Sequence, residues 1–273
     1  MAAARKGYDE YLDGIGVAPR APAICPFDPG VAPVVLESHL EQSAHLMLSL
    51  KISMACWLIA DRRATRRKLD AARDAGVPTN AGGGPYEVAV AQGALHEYLE
   101  LCAGEGFAGI ECGSGFTDPG VEPERIVALA AERGLRVEYE LGGKHTGQFD
   151  AVEIERLVEE GRRWLDAGAH RLVVEARESA AEVGLFDGAG TLAAALADRL
   201  VEAFGIELLV FEAPTKASQF ALLDHLGPAA QLSNVRLDEL LRVEIYRRGL
   251  HSDAFSNPRL RPPPRPARPG RKP

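Results

Sequence analysis

Glu175, Arg177 and Glu178 stand within four residues of one another, directly after the apolar run Leu172 to Val174. Two acids and a base at the end of a buried-strand pattern are costly unless they are paired or face a polar opening. The arrangement recurs along the chain. Asp28, Lys51, Glu111, Glu140, Glu212 and Asn234 each lie at or near the end of another apolar segment of strand type. Carboxylates gathered in one place repel one another and need a divalent cation, basic partners or raised pKa values. Oxygen donors without His or Cys clusters suit a hard ion, Mg2+ or Mn2+, in preference to zinc. The basic partners at hand are Lys51, Lys144, Arg177 and Lys216. For any one of these acids a strand-end salt bridge explains the residue equally well; the repetition argues for a site.

The triplet Gly82-Gly83-Gly84 lets backbone N–H groups approach an anion, although such a triplet by itself more often marks a turn. A helical pattern starts at Tyr86, and a helix N-terminus favours negative charge. Together with Lys51, Lys144 and Arg177, this points to a small phosphorylated or otherwise anionic substrate. Of the seven histidines, only His145, beside Lys144, falls in a site loop; the others read as surface or packing residues, with His251 just after the last helix. The chain has no GxSxG elbow, no P-loop and no triad pattern.

Eight strand-then-helix units carry these residues. The strands read as Ala23 to Asp28, Leu46 to Ile52, Val77 into the glycine loop, Gly109 to Cys112, Arg136 to Leu141, Leu172 to Val174, Leu208 to Glu212 and Ala229 to Val235. Between them lie helical spacings over 34–44, 64–76, 86–106, 122–134, 150–168, 191–205, 217–226 and 237–249, with Asp150 as an N-cap. Strict alternation predicts a parallel sheet, and eight units in 273 residues predict a closed (β/α)8 barrel, with an open doubly wound sheet as the alternative. In a barrel, the carboxyl ends of all eight strands meet at one mouth. Residues 1–20 read as a lead-in, 21–256 as the barrel and 257–273 as a disordered tail.

That Pro/Arg-rich tail has six basic residues and no acid, so the rest of the chain carries −14 of the formal net charge of −8. An acidic body argues against nucleic acid as a partner. No apolar run is long enough for a membrane span, and acids follow the N-terminal basic residues where a signal peptide would be apolar. The four cysteines (25, 56, 102 and 112) form no CxxC pair and fit a reduced, cytoplasmic chain.

Several blocks resemble the phosphosulfolactate synthase family: Glu175-Ala-Arg-Glu-Ser179 with Gly184-Leu-Phe-Asp187, Phe211-Glu-Ala-Pro214 with Lys216 and Gln219, Arg247-Arg-Gly-Leu250 with Asp253 and Phe255, and Glu140-Leu-Gly-Gly-Lys144. The likeness runs from about residue 26 to 255. It implies a homo-oligomeric (β/α)8 lyase that adds sulfite to phosphoenolpyruvate with Mg2+, in coenzyme M biosynthesis. Residue by residue, it implies Mg2+ ligands among Glu111, Glu140, Glu175 and Glu212. Lys144 is then the acid, its pKa lowered by cationic neighbours, with Glu140 and Arg177 beside it. Lys51 and Arg177 clamp anions, and Lys216, Gly83, Gly84 and Asn234 complete the substrate site.

The chain departs from the family at the mouth itself. Lys-Phe-Gly-(aromatic)-Gly-Thr is replaced by Lys51-Ile-Ser-Met-Ala-Cys56, Glu-Ile-Ser-Asp-Gly by Glu111-Cys-Gly-Ser-Gly115, and one of two paired lysines by Gly143. Two alternatives therefore stand beside sulfite addition. One is a barrel lyase for another nucleophile or phosphorylated acid in secondary metabolism. The other is a non-catalytic, metabolite-binding descendant.

Overall fold

The computed structural model describes residues 2–115, 117, 120–145 and 147–261. Helix α1 (Ala2–Gly14) precedes strand β1 (Ile24–Asp28). Then come α2 (Pro33–Ser43), β2 (Leu50–Ile52), the short α3 (Cys56–Ile59), α4 (Arg62–Asp74), β3 (Thr79–Ala81), α5 (Gly83–Ala91) and α6 (Leu95–Glu105). The second half runs β4 (Gly109–Cys112), α7 (Pro123–Ala131), β5 (Arg136–Leu141), α8 (Ala151–Asp166), β6 (Arg171–Val174), α9 (Ala194–Phe204), β7 (Leu209–Glu212), α10 (Lys216–Leu226), β8 (Gln231–Arg236) and α11 (Leu240–Arg247). All eight strands are parallel and follow sequence order, and β8 pairs with β1 to close the barrel. The (β/α)8 expectation holds, and no open edge is left.

Alternation along the strands sorts the side chains. Ile24, Leu50, Ile110, Leu172, Leu209 and Leu232 are buried in one continuous core with Leu36, Leu69, Leu99, Ile126, Leu157, Leu200 and Leu222 of the helices. A separate small apolar cluster, Cys25, Val173 and Val210, comes from strands β1, β6 and β7 at alternate positions. These are the outer and inner faces expected of barrel strands. Pro26 has no N–H to give to the ladder, and the β1/β8 register shifts there, passing from Cys25↔Ser233 to Pro26↔Val235. Asn234 is the extra residue. It sits in the left-handed region at φ +54, which Asn tolerates better than most side chains.

Several boundaries differ from the sequence pattern. The predicted 86–106 helix is two, broken where Gly93 takes φ +70. Gly83 and Gly84 form the first turn of α5 and not a loop. Residues 44–46 form a 3-10 turn, so β2 starts only at Leu50. The lead-in contains helix α1, and the apolar residues 56–59 form α3. Asp150 caps α8 as predicted, accepting from the N–H groups of Val152 and Glu153 at 2.8 Å. Within residues 257–261, Asn257 donates to Asp224 at 2.7 Å and Leu260 is buried, whereas Pro258, Arg259 and Arg261 are exposed. Residues 262–273 of the predicted tail lie outside the described residues.

Candidate active site

Five strand ends bring acids and bases together at the mouth. Lys51 comes from β2, Glu111 from β4, Glu140 from β5, Glu175 from just past β6 and Glu212 from the end of β7, and all five are buried. Charges so far from water must find partners. Lys51 Nζ lies 2.7 Å from Glu111 Oε2, 3.4 Å from Glu212 Oε1 and 3.8 Å from Glu140 Oε1. Lys144, in the loop after β5, places Nζ 3.0 Å from Glu175 Oε2 and 3.2 Å from Glu140 Oε2.

The backbone fixes the remaining oxygens. Ala176 N–H donates to Glu212 Oε2 at 3.0 Å, and Arg177 N–H donates to Glu175 Oε1 at 2.7 Å. The second bond closes a tight turn in which Arg177 takes φ +54, a conformation that costs energy for a non-glycine residue. The loop returns against this turn at Gly184 (φ +59), where a Cβ would lie 2.0 Å from the Glu175 carbonyl oxygen. Only glycine lets the chain pass there.

Four carboxylates and two ammonium groups leave a formal charge of −2. Burial pushes the Glu111 carboxyl up to about 8, against the pull of Lys51. Burial, joined by the neighbouring Glu175 charge, also raises Glu212 far above the usual carboxylate range. Glu175 goes the other way: burial opposes its charge, but Lys144, a hydrogen bond with Glu212 and the Arg177 N–H hold it low. The two side chains share a hydrogen bond that moves their carboxyls in opposite directions, Glu212 up and Glu175 down. Oxygens of Glu140, Glu175 and Glu212 all lie within 4.8 Å of one another. An all-oxygen set with more carboxylates than ammonium partners fits a divalent hard cation.

The predicted residues take distinct places. Glu140, Glu175 and Glu212 form the group able to hold an ion, whereas Glu111 is set apart as the close partner of Lys51. Lys51 is enclosed by acids: burial disfavours its charge, but Glu111, Glu212 and Glu140 more than compensate and hold the ammonium well above its usual value. Its geometry is that of an internal counter-charge. The lowered pKa expected for Lys144 is corrected. Its neighbours are the carboxylates Glu140 and Glu175, not cations, and they outweigh burial and raise it. Arg177 is exposed, and its guanidinium makes no ion pair with a described residue. Lys216 starts α10 at the rim, 3.2 Å from Asp253 and over the Phe220 ring. Gly83 abuts Glu140, Gly84 borders open space, and Asn234 is half-buried at the β8 bulge.

Asp28, also at a strand end, is a loop clamp. It binds Lys68 at 2.6 Å and the N–H groups of Gly30 and Val31 at 2.8 and 2.7 Å. Glu87 was not singled out by the sequence pattern. It is fully buried on α5 and accepts the Thr117 N–H and hydroxyl at 2.9 and 3.0 Å. It thereby ties down the loop whose Gly115 carbonyl accepts Lys144 N–H at 2.9 Å. An acid in the interior of a helix carries no sequence mark that separates it from a solvated one.

Residues 17–253 match the family model of (2R)-phospho-3-sulfolactate synthase. A phosphosulfolactate synthase of Methanocaldococcus jannaschii is 28% identical over 249 residues, covering 91% of this chain and 96% of the relative. Those of Methanothermobacter thermautotrophicus and Bacillus subtilis are 26% identical (85% of this chain, 91% of the relative) and 29% identical (64% and 69%). Among solved structures, the carboxyl transferase domain of Rhizobium etli pyruvate carboxylase, with pyruvate and biocytin, superimposes with a TM-score of 0.58 at 16% identity. That match covers 85% of this chain and 44% of the other, a likeness of fold alone.

Proposed function

The chain belongs to the (2R)-phospho-3-sulfolactate synthase family and is an enzyme of that lyase class, and on this premise we propose that it adds sulfite to phosphoenolpyruvate with the help of Mg2+. The observation that carries the reading is the meeting of Glu140, Glu175 and Glu212 oxygens within 4.8 Å, with Lys144 Nζ on two of the three. Glu140, Glu175 and Glu212 are the residues that would hold the ion. When bound, the ion supplies positive charge where the substrate carboxylate gathers negative charge.

The sulfur lone pair forms a C–S bond at the methylene carbon, and the double-bond electrons move towards the carboxylate. Lys144 Nζ then gives a proton to the carbon bearing the phosphate, so charge and atoms balance. Glu140 and Glu175 keep that ammonium protonated and aimed inward. Lys51 and Glu111 pair at 2.7 Å beneath. Arg177, exposed at the rim, offers a planar two-pronged donor to phosphate or sulfonate, and Lys216 and the start of α5 at Gly83 and Gly84 line the same rim. The free thiols of all four cysteines suit a reducing cytoplasm.

The test is 31P NMR of purified enzyme with phosphoenolpyruvate, sulfite and Mg2+. Appearance of phosphosulfolactate, lost without sulfite or after chelation, supports the reading; an unchanged phosphoenolpyruvate signal sinks it. A second reading has its own motive: Lys51, Lys144 and Lys216 each already face a carboxylate. That shortage of unpaired cations favours a less charged nucleophile than sulfite. Turnover of phosphoenolpyruvate with such a nucleophile and not with sulfite would select it.

A further inference from the structure

The Glu140 carboxylate is enclosed on two sides by glycines from different elements. A Cβ on Gly83, in the first turn of α5, would lie 3.1 Å from Oε2 and 3.4 Å from Oε1. A Cβ on Gly113, just past β4, would lie 3.0 Å from Oε2 and 3.1 Å from Glu140 Cβ. Neither glycine has a positive φ, so backbone conformation does not explain the choice of residue at either position. Both are held in place. Gly82 N–H donates to Ile52 O at 3.1 Å, and β4 pairs with β5 up to Cys112↔Tyr139, one step before Gly113. The next residue along α5, Gly84, has nothing within 4 Å of its would-be Cβ.

We propose that Gly83 and Gly113 act as a two-sided clamp that positions Glu140, setting its carboxylate for the divalent ion it shares with Glu175 and Glu212. Two backbone segments without side chains leave room for the carboxylate where it lies, with Oε2 3.2 Å from Lys144 Nζ and Oε1 3.8 Å from Lys51 Nζ. A methyl group on either side pushes it towards the other wall, because that carbon would lie 3.0–3.1 Å from Oε2, inside ordinary van der Waals contact. Glu140 is the one member of the group that touches both lysines, so a displacement of a few tenths of an ångström changes the ion site and the Lys144 pair together. The clamp rests on the metal reading given above, and its test separates the two.

The experiment is calorimetric titration of Mn2+ into wild type, Gly113→Ala, Gly83→Ala and Gly84→Ala, with crystal structures of the first two. Positioning groups around a metal ligand typically set affinity by about ten- to hundredfold. Gly113→Ala and Gly83→Ala are expected to bind Mn2+ at least about tenfold more weakly, with Glu140 displaced and the metal-free melting temperature little changed. Gly84→Ala is expected to keep wild-type affinity, although alanine alters the same helix turn. Equal affinity in all four proteins overturns the clamp, as does a Gly84→Ala loss equal to the others. A cleft of about 630 Å³, bordered by Gly113, Tyr139 and Trp164, lies on the outer side of this strand end. If the Gly113→Ala loop moves into it and Glu140 stays in place, the clamp is overturned as well. If wild type takes no Mn2+, the metal reading fails, and the Glu140 position in Gly113→Ala decides the clamp alone.

Discussion

At the floor of the barrel, Glu244 is gripped by Arg247 (2.8 and 3.1 Å) and Arg248 (2.6 Å). Arg247 spends its other donors on the Ala21 and Pro228 carbonyls, at 2.7 and 2.8 Å. At the mouth, four acids share two lysines, and burial raises the carboxyls of both Glu111 and Glu212. Both clusters are buried, but they are built to different ends. On the floor, guanidinium forks saturate the carboxylate and tie the segment before β1 to the last helix. At the mouth, the chain leaves the carboxylates short of positive partners, and Glu140, Glu175 and Glu212 form a group able to hold a cation. A buried charge that the protein neutralises fully is structural; one that it leaves short is where function sits.

Changing one group at each end breaks this comparison most sharply. Lys144→Ala should lower kcat by about 10²- to 10⁴-fold, the range of a lost general acid, without a matching loss of melting temperature. Near-normal turnover by that variant would remove Lys144 from the chemistry. Arg247→Ala should do the reverse. It strands buried Glu244 and two carbonyls, so stability should drop by about 3–5 kcal/mol and the melting temperature by on the order of 10 °C. The folded fraction should keep its kcat, and a kcat defect at low temperature would argue against a purely structural floor.

A smaller effect separates the clusters by pH. The folded Glu111 carboxyl titrates at about 8, against an ordinary value of 4.5. Between those values the native state holds a proton that the unfolded chain has released. Metal-free stability therefore falls as pH rises across that window. Glu212, raised in the same direction, adds to the slope. Urea midpoints at several pH values should show Glu111→Gln with a flatter dependence than wild type, and superimposable profiles would contradict the assignment. The smallest effect belongs to the rim: Asp253→Asn breaks the half-exposed pair with Lys216 and should leave the urea midpoint at its wild-type value, and a clear drop would contradict that.

The barrel was legible because strand and helix periods alternate eight times, and misreading one boundary does not undo a count of eight. Short elements were less so. Nothing in the pattern of Cys56 to Ile59 tells an apolar helical turn from a loop, and the Gly93 break inside 86–106 hides among residues that favour helix. At the site, strand ends told which residues reach the mouth but not which touch. Glu111 and Glu140 look alike in sequence, and only the register of β4 against β5 and the reach of Lys51 separate a counter-charge pair from the ion-holding group. The Lys144 environment was misjudged for the same reason: its cationic neighbours in sequence logic are carboxylates in space.

Diffraction from a Mn2+-soaked crystal, recorded at the manganese absorption edge, tests the undersupplied mouth most directly. The account predicts one strong anomalous peak bounded by oxygens of Glu140, Glu175 and Glu212, with Glu111 still on Lys51. A mouth without a peak under saturating Mn2+, or a peak held by other residues while Glu212 keeps its bond to Glu175, would contradict it.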